Sequence, residues 1–265
     1  MIIGDPIEHS LSPEMHNTTY KALGIDDQFV FVAAHVKPED VEQTVNGARA
    51  MHIRGLTCTI PHKTSVMQYL DALDETAEKI GAVNTIVNDH GKLTGYNTDW
   101  LGVVTPLEKV TSIKNKSVAV LGAGGAARAV IYGVLKHGGR VTIFNRTVEK
   151  AKALAEEFGC DYASNEAFEE IKTMDIIFNA TSVGLHPNES ETPLPKEYIT
   201  DKHIVFDAIY APFETQLLKY AKAQGATVIH GLEMLLHQGT AQFQLYTGQI
   251  APEDVMRDVL MKHTK

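Results

Sequence analysis

In Val118-Ala-Val-Leu-Gly122-Ala-Gly124-Gly125-Ala-Ala127-Arg128-Ala-Val130, four apolar residues predict a buried parallel strand. The glycines that follow open an amphipathic helix running toward His137. The pattern is the G-x-G-x-x-A form of a dinucleotide-binding turn. Gly122 makes the tight turn, Gly124 lets backbone approach a pyrophosphate, and Ala127 keeps helix and strand close. The helix N-terminus adds free N–H groups and a positive dipole end, so Ala123, Gly125 and Ala126 belong to the predicted binding turn as well. Such glycine triplets also arise by chance. Here the context supports the motif, because a second strand, Arg140-Val-Thr-Ile-Phe144, completes a β-α-β unit.

Asn145-Arg146-Thr147 closes that second strand. An NAD site normally places an acid there to hold the ribose 2′-hydroxyl. A guanidinium suits a 2′-phosphate instead, being charged and bidentate. The plain alternative is a surface arginine opening the helix Val148 to Phe158. A cation is disfavoured at a helix N-terminus unless an anion joins it, so the expected cofactor is NADP.

The chain has 265 residues, 44% hydrophobic and 22% charged, an ordinary composition for one large or two smaller α/β domains. A net charge of -9 argues against nucleic-acid binding, which needs a basic footprint. Cys58 and Cys160 are too few and too far apart for zinc or a disulfide framework, and the scattered histidines suggest no metal. No signal pattern is visible, and no apolar run approaches the roughly 20 residues of a membrane span. The expectation is a cytoplasmic protein with a small-molecule substrate.

From the start, Met1-Ile2-Ile3 predicts a short strand. Ser12 followed by Pro13 predicts a helix start, which ends at Gly24. Ser12 is then either a cap or, with Ser10 beside the helix N-terminus, a receiver of a carboxylate. Phe29 to Ala33 predicts a strand and Glu39 to Met51 a helix. A strand from Gly55 leads into Thr59-Ile-Pro-His-Lys63, where Pro61 stops the ladder and Lys63 projects from a strand end. Asp71 to Ile80 is predicted helical, Gly81 to Val87 a strand, and Asn88 to Gly91 a hairpin turn before Leu93 to Tyr96. A lone lysine is usually a solvated charge. Thr59, Lys63, Asn84, Asn97 and Asp99 collected at strand ends carry more meaning together, since ligands sit there in open α/β sheets.

A second domain begins through a helix starting near Asp99. Strands are expected around Asp175 to Asn179, Ile204 to Ala208 and Ala226 to Ile229. Helices follow from Phe213, Gly231 and Pro252.

Ser10-Leu-Ser12-Pro, Thr59-Ile-Pro-His-Lys63, Gly81-Ala-Val-Asn84-Thr, Asn97-Thr-Asp99, Gly122-Ala-Gly-Gly-Ala-Ala-Arg, Asn145-Arg-Thr and Met234-Leu-Leu-His-Gln238-Gly together resemble the shikimate dehydrogenase family. The resemblance spans nearly the whole chain, in order. It implies a two-domain α/β fold with an N-terminal substrate domain, 1–100, completed by C-terminal helices at 238–265. A Rossmann-like NADP-binding domain would occupy 101–237. The implied reaction is the reversible NADPH-dependent reduction of 3-dehydroshikimate to shikimate, in aromatic amino-acid biosynthesis, by a monomer or homodimer. Substrate contacts would fall on Ser10, Ser12, Thr59, Lys63, Asn84, Asp99 and Gln238, with Tyr210 near the substrate carboxylate. Thr181, Ile209 and Gly231 would complete the cofactor site.

Three features depart from the family pattern. The first strand is short, Thr57-Cys58 stands where Asn-Val is usual, and Trp100 replaces a glycine. Reducing a ketone needs hydride at carbon and a proton at the developing alkoxide. Lys63 and Asp99 form the expected dyad for the proton, a cation beside the anion that orients it. The alternatives are a quinate/shikimate dehydrogenase using either cofactor and a non-catalytic NADP-binding sensor.

Overall fold

The computed structural model describes residues 1–264. It forms two compact units, Met1–Asp99 with Gln238–Lys265, and Trp100–His237.

The first unit contains β1 (Ile2–Gly4), α1 (Ser12–Ala22), β2 (Ala33–His35), α2 (Val41–Ala50) and β3 (Gly55–Cys58). There follow α3 (His62–Ser65), β4 (Ala72–Leu73), α4 (Glu75–Ile80), β5 (Thr85–Asp89) and β6 (Lys92–Tyr96). The sheet order is β2-β1-β3-β5-β6-β4. β1 runs parallel to β2 and β3, while β5 runs against both β3 and β6. That antiparallel strand decides where the polar residues gather. Its first residue, Thr85, pairs with Thr57 near the end of β3 and with Tyr96 at the end of β6. The end of β3, the start of β5 and the end of β6 thus share one sheet edge. Ile3, Val45, Leu56, Val66, Ile86 and Leu93 fill the core behind it.

Helix α5 (Asp99–Val110) leads out of β6, and the unit boundary falls between its first two residues. The second unit then runs β7 (Ser117–Leu121), α6 (Gly125–Lys136), β8 (Arg140–Phe144), α7 (Val148–Phe158) and β9 (Asp161–Ala163). It continues with β10 (Ile176–Asn179), β11 (Ile204–Asp207), α8 (Gln216–Ala223), β12 (Thr227–Ile229) and α9 (Gly231–Thr247). All of its strands are parallel, in the order β12-β11-β10-β7-β8-β9. The chain steps outward from β7 to β9, then restarts beside β7 at β10. Ligands of open α/β sheets bind outside the strand ends at such a reversal. The last part of α9, with α10 (Glu253–Met261), belongs to the first unit, where α10 packs on α1. Among the described residues no helix is long and apolar enough to cross a membrane.

The α/β expectation holds, with local corrections. Phe29 to Val32 is not strand, because the Asn17 side chain takes both backbone groups of Phe31, at 2.8 Å each. The strand begins only at Ala33. Asp71 to Ile80 is not one helix: Ala72–Leu73 pairs with β6, and Asp74, in extended conformation, caps a helix that starts at Glu75. The Ser12 hydroxyl is no cap either. Leu11 occupies the cap position of α1, with no side-chain hydrogen bond, and Ser12 is already helical. Helix α8 starts at Gln216 rather than Phe213, since the Thr215 side chain accepts from Leu218 N–H.

Candidate active site

The polar edge of the first unit assembles from three strand ends. Lys63 lies on α3, just past β3, and Val83 N–H donates to its carbonyl at 2.7 Å. Asp99 opens α5, where the dipole favours an anion, and its own N–H donates to the Asn97 side chain at 3.0 Å. Lys63 Nζ donates to Asp99 Oδ2 at 2.6 Å, with side chains 15% and 5% exposed. A pair this shielded is held in one geometry, unlike a surface ion pair.

Asn84, immediately before β5, organises the other side of the carboxylate. Its Nδ2 donates to Asp99 Oδ1 and Thr98 Oγ1 at 2.9 Å each, and to Gln238 Oε1 at 3.4 Å. Thr98 N–H donates to Asn84 Oδ1 at 2.8 Å, which fixes which way the amide points. The structure therefore brings Lys63, Asn84, Asp99 and Gln238 together. Thr59 is held against β1 instead: its N–H donates to Ile3 O, and its methyl lies close to Gly4. Ser12 is buried, and its N–H donates weakly to Ser10 Oγ at 3.4 Å. Tyr210 sits in the other unit, on the loop after β11.

Sequence reasoning missed the buried polar residues beneath this edge. Thr57, Thr85, Thr98, Gln242 and Tyr246 are each under 5% exposed, as is Asn84 itself. Gln238, Gln242 and Tyr246 recur every fourth residue of α9, a polar stripe on a buried helix face. That spacing was visible in the sequence. Cys58, one of the departures, is sealed in the core, and burial pushes its thiol up to about 12.

In the second unit, the predicted cofactor residues cluster at the C-terminal ends of parallel strands. Gly122 has φ +108°, and a Cβ there would meet Thr181 Cγ2 at 2.9 Å, so Thr181 lies against the turn. Gly124 caps α6 without any side-chain hydrogen bond, and a Cβ built on it meets nothing within 4 Å. No side chain at the cap position accepts from the first N–H groups of this twelve-residue helix. Ala123, Gly125 and Ala126 are partly exposed around it, while Ala127 is buried against the sheet. At the end of β8, Asn145 Nδ2 donates to Thr147 O at 2.8 Å, and Arg146 is exposed. Ile209 and Gly231 touch: a Cβ on Gly231 would collide with the Ile209 carbonyl.

These residues fit a dinucleotide phosphate, since a helix N-terminus without a side-chain cap, approached through a glycine, is an anion cradle. The loops around it are stiffened from below. Asp207 accepts from Asn179 Nδ2, Ile209 N–H and Thr215 Oγ1, and Asn179 in turn accepts from Thr181. Burial nevertheless raises the Asp207 carboxyl to about 6. Trp100 packs edge-on to Tyr132, with Lys136 Nζ 4.3 Å over its ring, so the indole is absorbed by α6 within this unit.

Three family models match the chain in sequence. The shikimate dehydrogenase substrate binding domain covers residues 2–86, shikimate / quinate 5-dehydrogenase covers 106–192, and the shikimate 5'-dehydrogenase C-terminal domain covers 231–261. The chain is 43% identical to the shikimate dehydrogenase (NADP(+)) of Caldanaerobacter subterraneus subsp. tengcongensis, over 96% of this chain and 92% of that one. A crystal structure of shikimate dehydrogenase in complex with NADP+ matches with a TM-score of 0.93 and 41% identity, over 100% of this chain and 94% of that one. The Thermus thermophilus enzyme in complex with NADP(H) and shikimate matches at 0.91 and 35% identity, over 99% of this chain and 98% of that one.

Proposed function

We propose, from the premise that this chain belongs to the shikimate dehydrogenase family, that it catalyses the reversible NADPH-dependent reduction of 3-dehydroshikimate to shikimate. The first unit binds the substrate and the second binds NADP. When bound, the cofactor supplies the hydride for the keto carbon. Lys63 delivers a proton to the oxygen that becomes the hydroxyl, and Asp99 holds the ammonium in place. In the oxidative direction the same dyad receives the proton. Its two members act as one unit. Ser10 and Ser12 hold the substrate carboxylate beside the α1 N-terminus, with Tyr210 near it. Thr59, Asn84 and Gln238 hydrogen-bond the ring hydroxyls, and such buried partners reject analogues that lack them. The product feeds aromatic amino-acid biosynthesis.

The observation that carries this reading is the shielded Lys63–Asp99 pair, braced by Asn84. A sensor that merely bound NADP would have no use for it. Lys63→Ala is expected to lower kcat by about 10²- to 10⁴-fold while KM for shikimate changes little. NADPH formation is followed by absorbance, with quinate and NAD+ as controls. Wild-type kcat in the variant overturns the assignment, and turnover favouring quinate with NAD+ replaces the substrate assignment.

A further inference from the structure

We propose that Thr85, Gln242, Thr57 and Tyr246 are positioning residues for the reaction, joined in a one-way chain of buried hydrogen bonds that ends on Asp99. The inference rests on the dyad reading above and adds the groups that hold the dyad.

The direction of the chain follows from counting protons. Thr57 Oγ1 donates to Gln242 Oε1 at 3.3 Å, and an amide oxygen can only accept. With the single hydroxyl proton of Thr57 placed on Gln242, Tyr246 Oη is the donor to Thr57 Oγ1 across their 2.9 Å contact, and Tyr246 also contacts Thr85. Gln242 Nε2 donates to Thr85 Oγ1 at 2.9 Å, and Thr85 Oγ1 donates to Asn84 Oδ1 at 2.8 Å. Asn84 Nδ2 then donates to Asp99 Oδ1. Along this line from Thr57 the donors run toward the carboxylate, with side branches from Asn84 to Thr98 and Gln238. Neither amide can turn over without breaking two bonds at once. Gln242 is 0% exposed and Thr85 0%, so no water replaces a lost partner cheaply.

The result is a scaffold in which α9 sets Asn84 from two places. Gln238 accepts from its amide, and one turn later Gln242 reaches its carbonyl at 3.4 Å and its neighbour Thr85. Asn84 presents Nδ2 to one carboxylate oxygen and leaves the other to Lys63. Thr57 takes part through a hydroxyl. Its partners Gln242 and Tyr246 supply the amide and the second hydroxyl that complete the line.

Thr85→Val removes the central hydroxyl at nearly constant volume. Shikimate oxidation is expected to lose about tenfold in kcat, with KM for shikimate and NADP+ within about threefold of wild type. Thr85→Ser is expected to restore kcat, because only the hydroxyl is needed. Gln242→Glu provides a second variant should the valine protein fail to fold. A carboxylate oxygen facing Thr85 draws its proton away from Asn84 and gives the same kcat loss. Folded Thr85→Val or Gln242→Glu with wild-type kcat overturns the proposal, and so does a loss that serine does not repair. Asp99→Asn assayed beside them separates the two readings. If it keeps wild-type kcat, the dyad itself falls. If it loses kcat while Thr85→Val does not, only the chain falls.

Discussion

Arg146 is a residue whose role can be tested by what it distinguishes. It stands exposed at the end of β8, beside an α7 N-terminus that Thr147 leaves without a side-chain cap. A 2′-phosphate would give the guanidinium a charge-assisted, bidentate partner. Arg146→Ala is therefore expected to raise KM for NADP(H) by about 10- to 100-fold and leave KM for NAD(H) nearly unchanged. Equal weakening toward both cofactors would make the arginine a structural residue. At this scale the sequence was legible where chemistry and position coincide. Lys63, Asn84, Asp99 and Gln238 were each quoted in short motifs, and they converge around Asn84. Ser12 was ambiguous in sequence, because a serine before a proline looks alike as a cap and as a ligand. The structure removes the cap reading alone: Ser12 lies inside the helix, so its hydroxyl is not spent on the cap. Thr85 and Gln242 were not legible as partners. Hydrogen bonds between residues 157 positions apart have no local signature.

Elements were readable from period and punctuation, and they failed where a side chain intercepted the backbone. The β-α-β unit from Ser117 to Phe144 follows its pattern because apolar runs and glycines agree there. Phe29 to Val32 has the composition of a strand, yet Asn17 satisfies Phe31 from a helix. β9 escaped notice because it is a mostly exposed edge strand with no apolar alternation. The segment 71–80 shows the same lesson at a helix start. Asp74 Oδ1 accepts from Thr76 N–H at 2.9 Å and from Ala77 N–H at 3.2 Å, fixing where α4 begins. Asp74→Ala is expected to cost about 1 kcal/mol of stability, read as a lower midpoint in urea with unchanged slope. An unchanged midpoint would mean that the pairing of β4 with β6, and not the cap, defines the start of α4.

For the molecule as a whole, the chain's response to acid is set partly by one buried ring. His16 is 0% exposed, both its ring nitrogens lack a partner, and it stacks on Phe31 at 4.4 Å. Burial drives its pKa from 6.5 down to about 3. Above the unfolded value both states are neutral and the ring contributes no pH dependence. Below it the unfolded chain takes up a proton that the folded chain refuses, so stability falls as pH drops from 6.5 toward 3. The loss from this group is roughly 2 kcal/mol by about pH 5. His16→Phe keeps the stacking and removes the titration. Its melting temperature should fall less than that of wild type between neutral pH and about pH 5, and parallel curves would show that other groups dominate.

Trp100 is the chain's only tryptophan, and α6 holds it with a tyrosine edge and a lysine ammonium over the ring. Selective excitation of the indole therefore gives an optical signal that belongs to the Trp100–His237 unit, with its environment set by Tyr132 and Lys136. Circular dichroism averages over both units. Comparing the two probes through one denaturation makes the cooperativity between the units a measurable quantity, with no label attached to the protein.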